Sequence, residues 1–287
     1  MGMMPSQSEA GLLQEGGVVE TAHVFGEGLV GILARPREVG DARPAVILLN
    51  AGLVHRAGPF RVYAQLARAL ASCGFAVLRF DQSGLGDSAN GVGVVTGPER
   101  KHAEADAAMR LVAEQTGIGR FVLAGICSGA DDAFRLADGD PRVAGIVLMD
   151  GVAYRTTGYK LQHYAPRLLD PGKVLRGVGR MLRRDDGARA LDEGDFRDFP
   201  PQDEAIARLR RLVERDARVL LLYTGGASRY FNHAGQAREC FGPVMDAPQV
   251  GLEYWPDCDH TFYLRKDRLR LNTRFSSWLR AQFPAVR

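Results

Sequence analysis

"LAGICSGADDAF" (residues 123–134) joins a strand-like run to a helix-like one through Gly125, Ile126, Cys127, Ser128 and Gly129. "RFVLAG" (120–125) just before the turn is apolar throughout, as a strand buried on both faces requires, and "GADDAFRLA" (129–137) has helical spacing. A strand–turn–helix this tight forces its central residue into a strained conformation and lifts that side chain above the sheet. Residues two before and two after the centre must be small, because backbone passes close to backbone there. With Cys127 at the centre those residues are Gly125 and Gly129. With Ser128 at the centre they are Ile126 and Ala130, and the β-branched Ile126 would clash. The stretch therefore predicts Cys127 as the nucleophile. A helix N-terminus also favours a thiolate, and it aims the N–H of Ser128 at a developing oxyanion. The competing reading is an inert buried cysteine in a phosphate-binding turn, but the turn lacks both GxGxxG and the Walker lysine.

Outward from this turn, further short runs rich in Val, Ile and Leu read as strands: 45–52, 75–81, 143–150, 217–226 and 250–256. Helical patterns over 60–74 and 99–117 stop at Gly74 and Gly117. Strands alternating with helices of this length predict an α/β fold with a mostly parallel sheet and helices on both faces. Residues 18–36 alternate like an antiparallel hairpin at the sheet edge. One span breaks the rhythm. Residues 155–215 are polar and helix-like, and an insertion this long within a compact sheet predicts a cap between two parts of a core, 18–154 and 216–287. Its first half holds Arg155, Lys160, Arg167, Lys173, Arg176, Arg180, Arg183 and Arg184 against the single Asp170, and "LDEGDFRDFPPQDEA" (191–205) then reads as an acidic loop.

Bulk properties narrow the function classes. The 287 residues, 46% hydrophobic and 25% charged, suit one large domain or two small ones. With 37 basic and 34 acidic residues, a net charge of +3 gives no argument for nucleic acid as a partner. Cys73, Cys127, Cys240 and Cys258 form no CxxC pair or zinc spacing, so neither a disulfide framework nor a metal site is expected. The first residues lack a secretory pattern, although Gly2 and Ser6 fit the loose myristoylation signature, and no apolar run reaches the ~20 residues of a membrane span. A cytoplasmic protein is expected.

A thiol nucleophile needs a base, a second oxyanion donor and often an acid. Of six histidines, only His260, in "PDCDHTFYL" (256–264), falls after the last strand and before the C-terminal helix, where hydrolases of this chain order carry the base. "LLNAGLVHRAGPFR" (48–61) supplies the second donor as the N–H of Leu53, with Gly52 permitting a turn that exposes His55, Arg56 and Arg61 nearby, of which His55 and Arg56 are the substrate-binding candidates. "FDQSGLGDS" (80–88) is weak as an anion loop because Asp81 and Asp87 would repel the ligand. The usual acid loop, "YTGGASRYFNH" (223–233), contains no Asp or Glu. Asp150, ending "GIVLMDG" (145–151), is the leading acid; Asp257, Asp259 and Asn232 stay open.

These residues resemble the α/β-hydrolase superfamily over nearly the whole chain. "LLNAGLVHRAGPFRVYAQLARAL", "VLRFDQSGLGDS", "GICSGADDAF" and "DHTF" look like the exosortase-system-associated and serine aminopeptidase-like hydrolases of bacteria. The resemblance implies an eight-stranded sheet, a helical cap, Cys127 as nucleophile, His260 as base, and the N–H groups of Leu53 and Ser128 as oxyanion hole. It implies no cofactor. Cysteine in place of serine is similar to dienelactone hydrolase and the polyhydroxyalkanoate synthases, and the vacant acid position near Ala227 and Ser228 departs from the common pattern. The expected activity is acyl transfer or hydrolysis on a thioester or ester, with acyl-CoA or an acyl carrier protein as donor met by the basic cap. The alternatives are a simple carboxylesterase or lactonase, and a non-catalytic binding module.

Overall fold

A computed structural model of the chain describes residues 13–15, 17–37, 43–91, 97–168, 197 and 199–285. Its centre is a nine-stranded sheet in the order β1-β2-β3-β5-β4-β6-β7-β8-β9. The strands are β1 (Leu13–Glu15), β2 (Val18–Phe25), β3 (Leu29–Pro36), β4 (Ala45–Leu49), β5 (Val77–Asp81), β6 (Phe121–Ile126), β7 (Val143–Met149), β8 (Arg218–Thr224) and β9 (Val250–Trp255). Strands β4 to β9 pair in parallel, while β1, β2 and β3 run antiparallel along one edge. The sheet thus holds the eight expected strands plus one, the three-residue β1 at the outer edge.

Every residue of β4, β5 and β6 is buried, because helices cover both faces. Side chains alternate between two cores. On one face Val46, Leu48, Val122 and Ala124 meet α1 (Val62–Ser72) and the C-terminal helix α7 (Arg265–Gln282) through Leu66, Leu70, Leu271 and Phe275. On the other, Ile47, Leu49, Leu123 and Ile146 meet α2 (Gly97–Thr116) and α3 (Ser128–Gly139) through Met109, Val112, Phe134 and Leu136. Burial of one such Leu or Ile side chain is worth about 1.5–3 kcal/mol.

The span expected to form a cap opens with α4 (Thr157–Leu168), which Tyr159 pins to the loop after β8 by donating its hydroxyl to the carbonyls of Arg229 (2.6 Å) and Ser228 (3.2 Å). It closes with α5 (Gln202–Glu214), whose Ala205, Leu209 and Leu212 lie in the same core as α3, so this helix belongs to the layer covering the sheet. Between them 169–196 and 198 lie outside the described residues, and with them Lys173, Arg176, Arg180, Arg183 and Arg184. No helix among the described residues is long and apolar enough to cross a membrane.

The chain order reverses at β4, which has β5 on one side and β6 on the other. Open α/β sheets bind ligands at such a switch point, beyond the carboxyl ends of the strands. The ends of β4 to β9 deliver the site.

Candidate active site

At the end of β6, Cys127 sits at φ 58° and ψ −124°, a conformation costing about 1–3 kcal/mol for a residue with a Cβ. The neighbouring glycines are compulsory. A Cβ on Gly125 would lie 2.2 Å from the carbonyl carbon of Gly129, and one on Gly129 would lie 2.5 Å from the carbonyl oxygen of Asn50. The frame is therefore centred on Cys127. Ser128 opens α3, and its Oγ accepts a 2.8 Å hydrogen bond from the N–H of Gly52. That bond holds the loop after β4 against the elbow. Tyr63 of α1 braces both strands from below, donating to the carbonyl of Leu49 (2.9 Å) and accepting from the N–H of Ile126 (2.8 Å).

Gly52 takes the positive φ of 55° that its turn requires, and the N–H of Val54 closes the turn on the carbonyl of Ala51 at 3.0 Å. Asn50, buried beneath, donates to the carbonyl of Val54 and accepts from the N–H of Gln82, both at 2.9 Å. Leu53 and Ser128 line one cleft of about 770 Å³ with Cys127.

His260, in the loop after β9, directs Nδ1 at Asp150 Oδ2, 2.7 Å away. Asp150 follows β7 at φ 51°, fully buried, and also accepts from the N–H and the hydroxyl of Thr224, each at 2.6 Å. Cys127 lies close enough to the ring to act on its charge. Burial works against charging this imidazole, but the bond to Asp150, the nearness of Cys127 and the negative charge there outweigh it and lift the His260 pKa to about 10.

The other acid candidates are engaged elsewhere. Asp257 pairs with Arg270, and Asp259 accepts from Thr261 and Tyr263 within its own turn. Asn232 donates to the carbonyl of Tyr159 at 3.1 Å. The loop after β8 has no room for an acidic side chain beside the ring: a Cβ on Gly226 would lie 2.4 Å from His260 Cβ, and one on Gly225 would lie 2.2 Å from the carbonyl oxygen of Pro256.

Neither substrate-binding candidate lines this cleft. Arg56 pairs with the fully buried Asp81 and, at 2.6 Å, with Asp87. It stitches the loops after β4 and β5 together, and the two aspartates that would have repelled an anion are its counter-charges. His55 is exposed outside the cleft lining, where its Nδ1 accepts from the N–H of Ala57 at 3.3 Å.

In their place the cleft is lined by Arg100 and Lys101 of α2, with Glu104 between them and Ser83, and by Arg197. Sequence reasoning missed Arg197, folding it into an acidic loop; its one signal was being the sole basic residue in 191–205. Its guanidinium, only 6% exposed, grips Asp131 through Nε (2.7 Å) and Nη2 (2.8 Å). It also donates to the carbonyls of Asp150 (3.0 Å) and Cys127 (3.4 Å) and to the hydroxyl of Tyr230 (2.9 Å). Among the described residues, no group of three or more His, Cys, Asp or Glu side chains is placed to hold a metal ion.

A sequence profile described as "Serine aminopeptidase, S33" matches residues 41–171, from the segment before β4 to the segment after α4, elbow included. The fold matches solved α/β hydrolases over more than nine-tenths of the chain. The chain has the fold of the α/β hydrolases. A hypothetical protein from Pseudomonas aeruginosa superposes with a TM-score of 0.60 at 17% identity, covering 98% of this chain and 99% of that one. An esterase from Pyrococcus furiosus gives 0.59 at 16% identity over 93% and 91% of the two chains. A proline iminopeptidase from Mycobacterium smegmatis gives 0.55 at 17% identity over 92% and 98%. Similarity at these identities establishes the fold. No curated protein matches the chain.

Proposed function

We propose that this α/β hydrolase cleaves or transfers acyl groups held as thioesters or esters, through a cysteinyl acyl-enzyme. The reading is carried by one observation: a thiol on the strained elbow meets an imidazole whose other nitrogen is held at 2.7 Å by a buried carboxylate. The fold shared with solved hydrolases and the profile match to a peptidase family support hydrolytic chemistry.

The Cys127 thiolate adds to the acyl carbon, and the carbonyl π pair moves to oxygen, where the N–H groups of Leu53 and Ser128 receive the oxyanion. Collapse breaks the bond to the leaving alkoxide or thiolate, which takes the proton from His260 Nε2. Water, or an acceptor alcohol or amine, then loses a proton to His260 as it attacks the thioester, and Cys127 leaves as thiolate. Asp150 stays ionised, fixes the tautomer and orients the ring.

A thioester donor suits a thiol nucleophile because attack exchanges one thioester for another. The stretch 155–184, with its eight basic residues, then acts as a cap that meets the phosphates of an acyl-CoA or a carrier protein's pantetheine arm. A simple carboxylesterase or lactonase is the second reading, favoured by the esterases among the solved structures of the same fold. The binding-module reading rested on a vacant acid position, and the Asp150–His260 contact removes its motive.

Intact-protein mass after incubation with acyl-CoA and ester probes tests the proposal. The adduct is expected in the wild type, absent in Cys127→Ala and present in Ser128→Ala; a label that persists in Cys127→Ala overturns it. Reversing the charges of Arg176, Arg180 and Arg183 together should weaken acyl-CoA turnover in a salt-dependent way. Product partition between water and an added amine separates transfer from plain hydrolysis.

A further inference from the structure

Arg197 has no role in the acyl-enzyme chemistry just described, yet it is the most heavily engaged charged side chain at the site. Burying a guanidinium is costly unless its donors are matched, and here Asp131, Tyr230 and two backbone carbonyls match them. Its partners are pointed. The two carbonyls belong to Cys127 and Asp150, the proposed nucleophile and acid, and Asp131 stands in the first turn of the helix that Cys127 caps. The Tyr230 hydroxyl bonds the same Asp150 carbonyl at 2.8 Å, and the rings of Phe199 and Tyr230 lie against the guanidinium at 4.7 and 5.3 Å.

Asp131 poses an electrostatic problem. A carboxylate in the first turn of α3 complements the helix dipole, but it also places negative charge beside a sulfur that must ionise. We propose that Arg197 is a positioning residue that cancels the Asp131 charge and ties the carbonyls of Cys127 and Asp150 together, so that its guanidinium sets how readily Cys127 ionises. The inference rests on the reading of Cys127 as nucleophile. It makes thiol reactivity depend on a residue 70 positions downstream.

The charged and titratable groups around the sulfur come from every neighbouring element. His260 and Asp150 hold it from the loops after β9 and β7, and Asp131 lies on α3. Arg197 and Tyr230 stand on the side of the cap, Tyr63 lies beneath on α1, and Arg100, Lys101 and Glu104 face it across the cleft from α2. Among these, Asp131 and Arg197 form the pair whose charges can be removed without touching the proposed triad. Cys127 is also among the groups whose charge Arg197 feels.

The test is the pH dependence of iodoacetamide alkylation at Cys127, followed on the Cys127 peptide by mass, alongside kcat and KM for an ester probe. Arg197→Met is expected to raise the alkylation midpoint by about one pH unit and to lower kcat about tenfold, with KM within about threefold. Adding Asp131→Asn should return the midpoint to within about 0.3 unit of wild type, because charge neutrality is restored. Arg197→Lys, which keeps the charge and loses the fork, should hold the midpoint while lowering kcat. An unshifted midpoint in folded Arg197→Met overturns the proposal, as does a shift that Asp131→Asn leaves in place. Should Arg197→Met fail to fold, Arg197→Lys and the double variant decide the matter: a midpoint displaced by a full unit in either one refutes the proposal. Alkylation reads the sulfur whether or not it carries acyl groups. A midpoint shift with the acyl label on another residue keeps this inference and sinks the acyl-enzyme, and an unshifted midpoint with the label on Cys127 does the reverse.

Discussion

The ends of β7 and β8 lie side by side in parallel register, yet one carries a buried carboxylate and the other Thr224, Gly225 and Gly226. In the common arrangement of this fold the acid would stand in the loop after β8. Here that loop is pressed so closely against Pro256 and His260 that only glycine fits at 225 and 226, and its contribution is Thr224, which donates twice to the acid on the neighbouring strand. The ring needs a carboxylate oxygen at Nδ1, not a particular loop. Either strand end can supply it, provided the other makes room.

Removing the acid is the most severe challenge to this division of labour between the two strand ends. Asp150→Ala should lower kcat about a hundred- to a thousandfold, less than the roughly 10⁴ lost in a serine triad, because a Cys–His ion pair depends less on its orienting group. Steady-state kinetics on an ester probe checks it. Placing an acid on the neighbouring loop, at the glycine nearest the ring, is the complementary test. Asp150→Asn with Gly226→Asp should fail to recover activity and should lower thermal stability by about 1–3 kcal/mol, since the new Cβ meets His260. Recovery would show that the two strand ends are interchangeable after all.

Weakening the donor pair is milder. Thr224→Val removes one hydrogen bond to a buried charge while the N–H of residue 224 remains, and should cost about tenfold in kcat, or about 1.5 kcal/mol. The same contacts predict a pH signature. The folded-state pKa of His260 is raised from the ordinary 6.5 to about 10, so the stability it contributes is complete below about 6.5 and is lost as pH rises through about 10. Urea midpoints should therefore fall between pH 7 and pH 10.5 in the wild type, and fall less in Asp150→Asn. The smallest effect is expected at the elbow's other hydroxyl. Ser128→Ala releases the N–H of Gly52 but leaves the N–H of residue 128 in place, and should slow turnover only about three- to tenfold.

How much was legible beforehand follows from how local each feature is. The centring of the elbow on Cys127 could be read because Gly125 and Gly129 lie within four residues of each other and their crowding is a short-range backbone matter. The parallel strands were legible because burial on both faces demands unbroken apolar runs. The expectation for Arg56 came from sequence nearness: it adjoins the oxyanion loop, but its charge is consumed by Asp81, 25 residues on. Arg197 stayed hidden for the opposite reason, since nothing near it in sequence resembles the elbow it grips.

The α/β fold, the strained turn and which of two adjacent residues crowns it were already written in the order of the amino acids, because they depend on hydrophobic period and on steric fit between close neighbours. Which carboxylate meets His260, where Arg56 and Arg197 spend their charges, and which side chains line the cleft were settled only in three dimensions. Those are contacts across 25 to 110 residues of chain, set by how strand ends and loops converge in space. Coulombic and hydrogen-bond partners are chosen by distance, and distance between remote segments is fixed only once the sheet has formed.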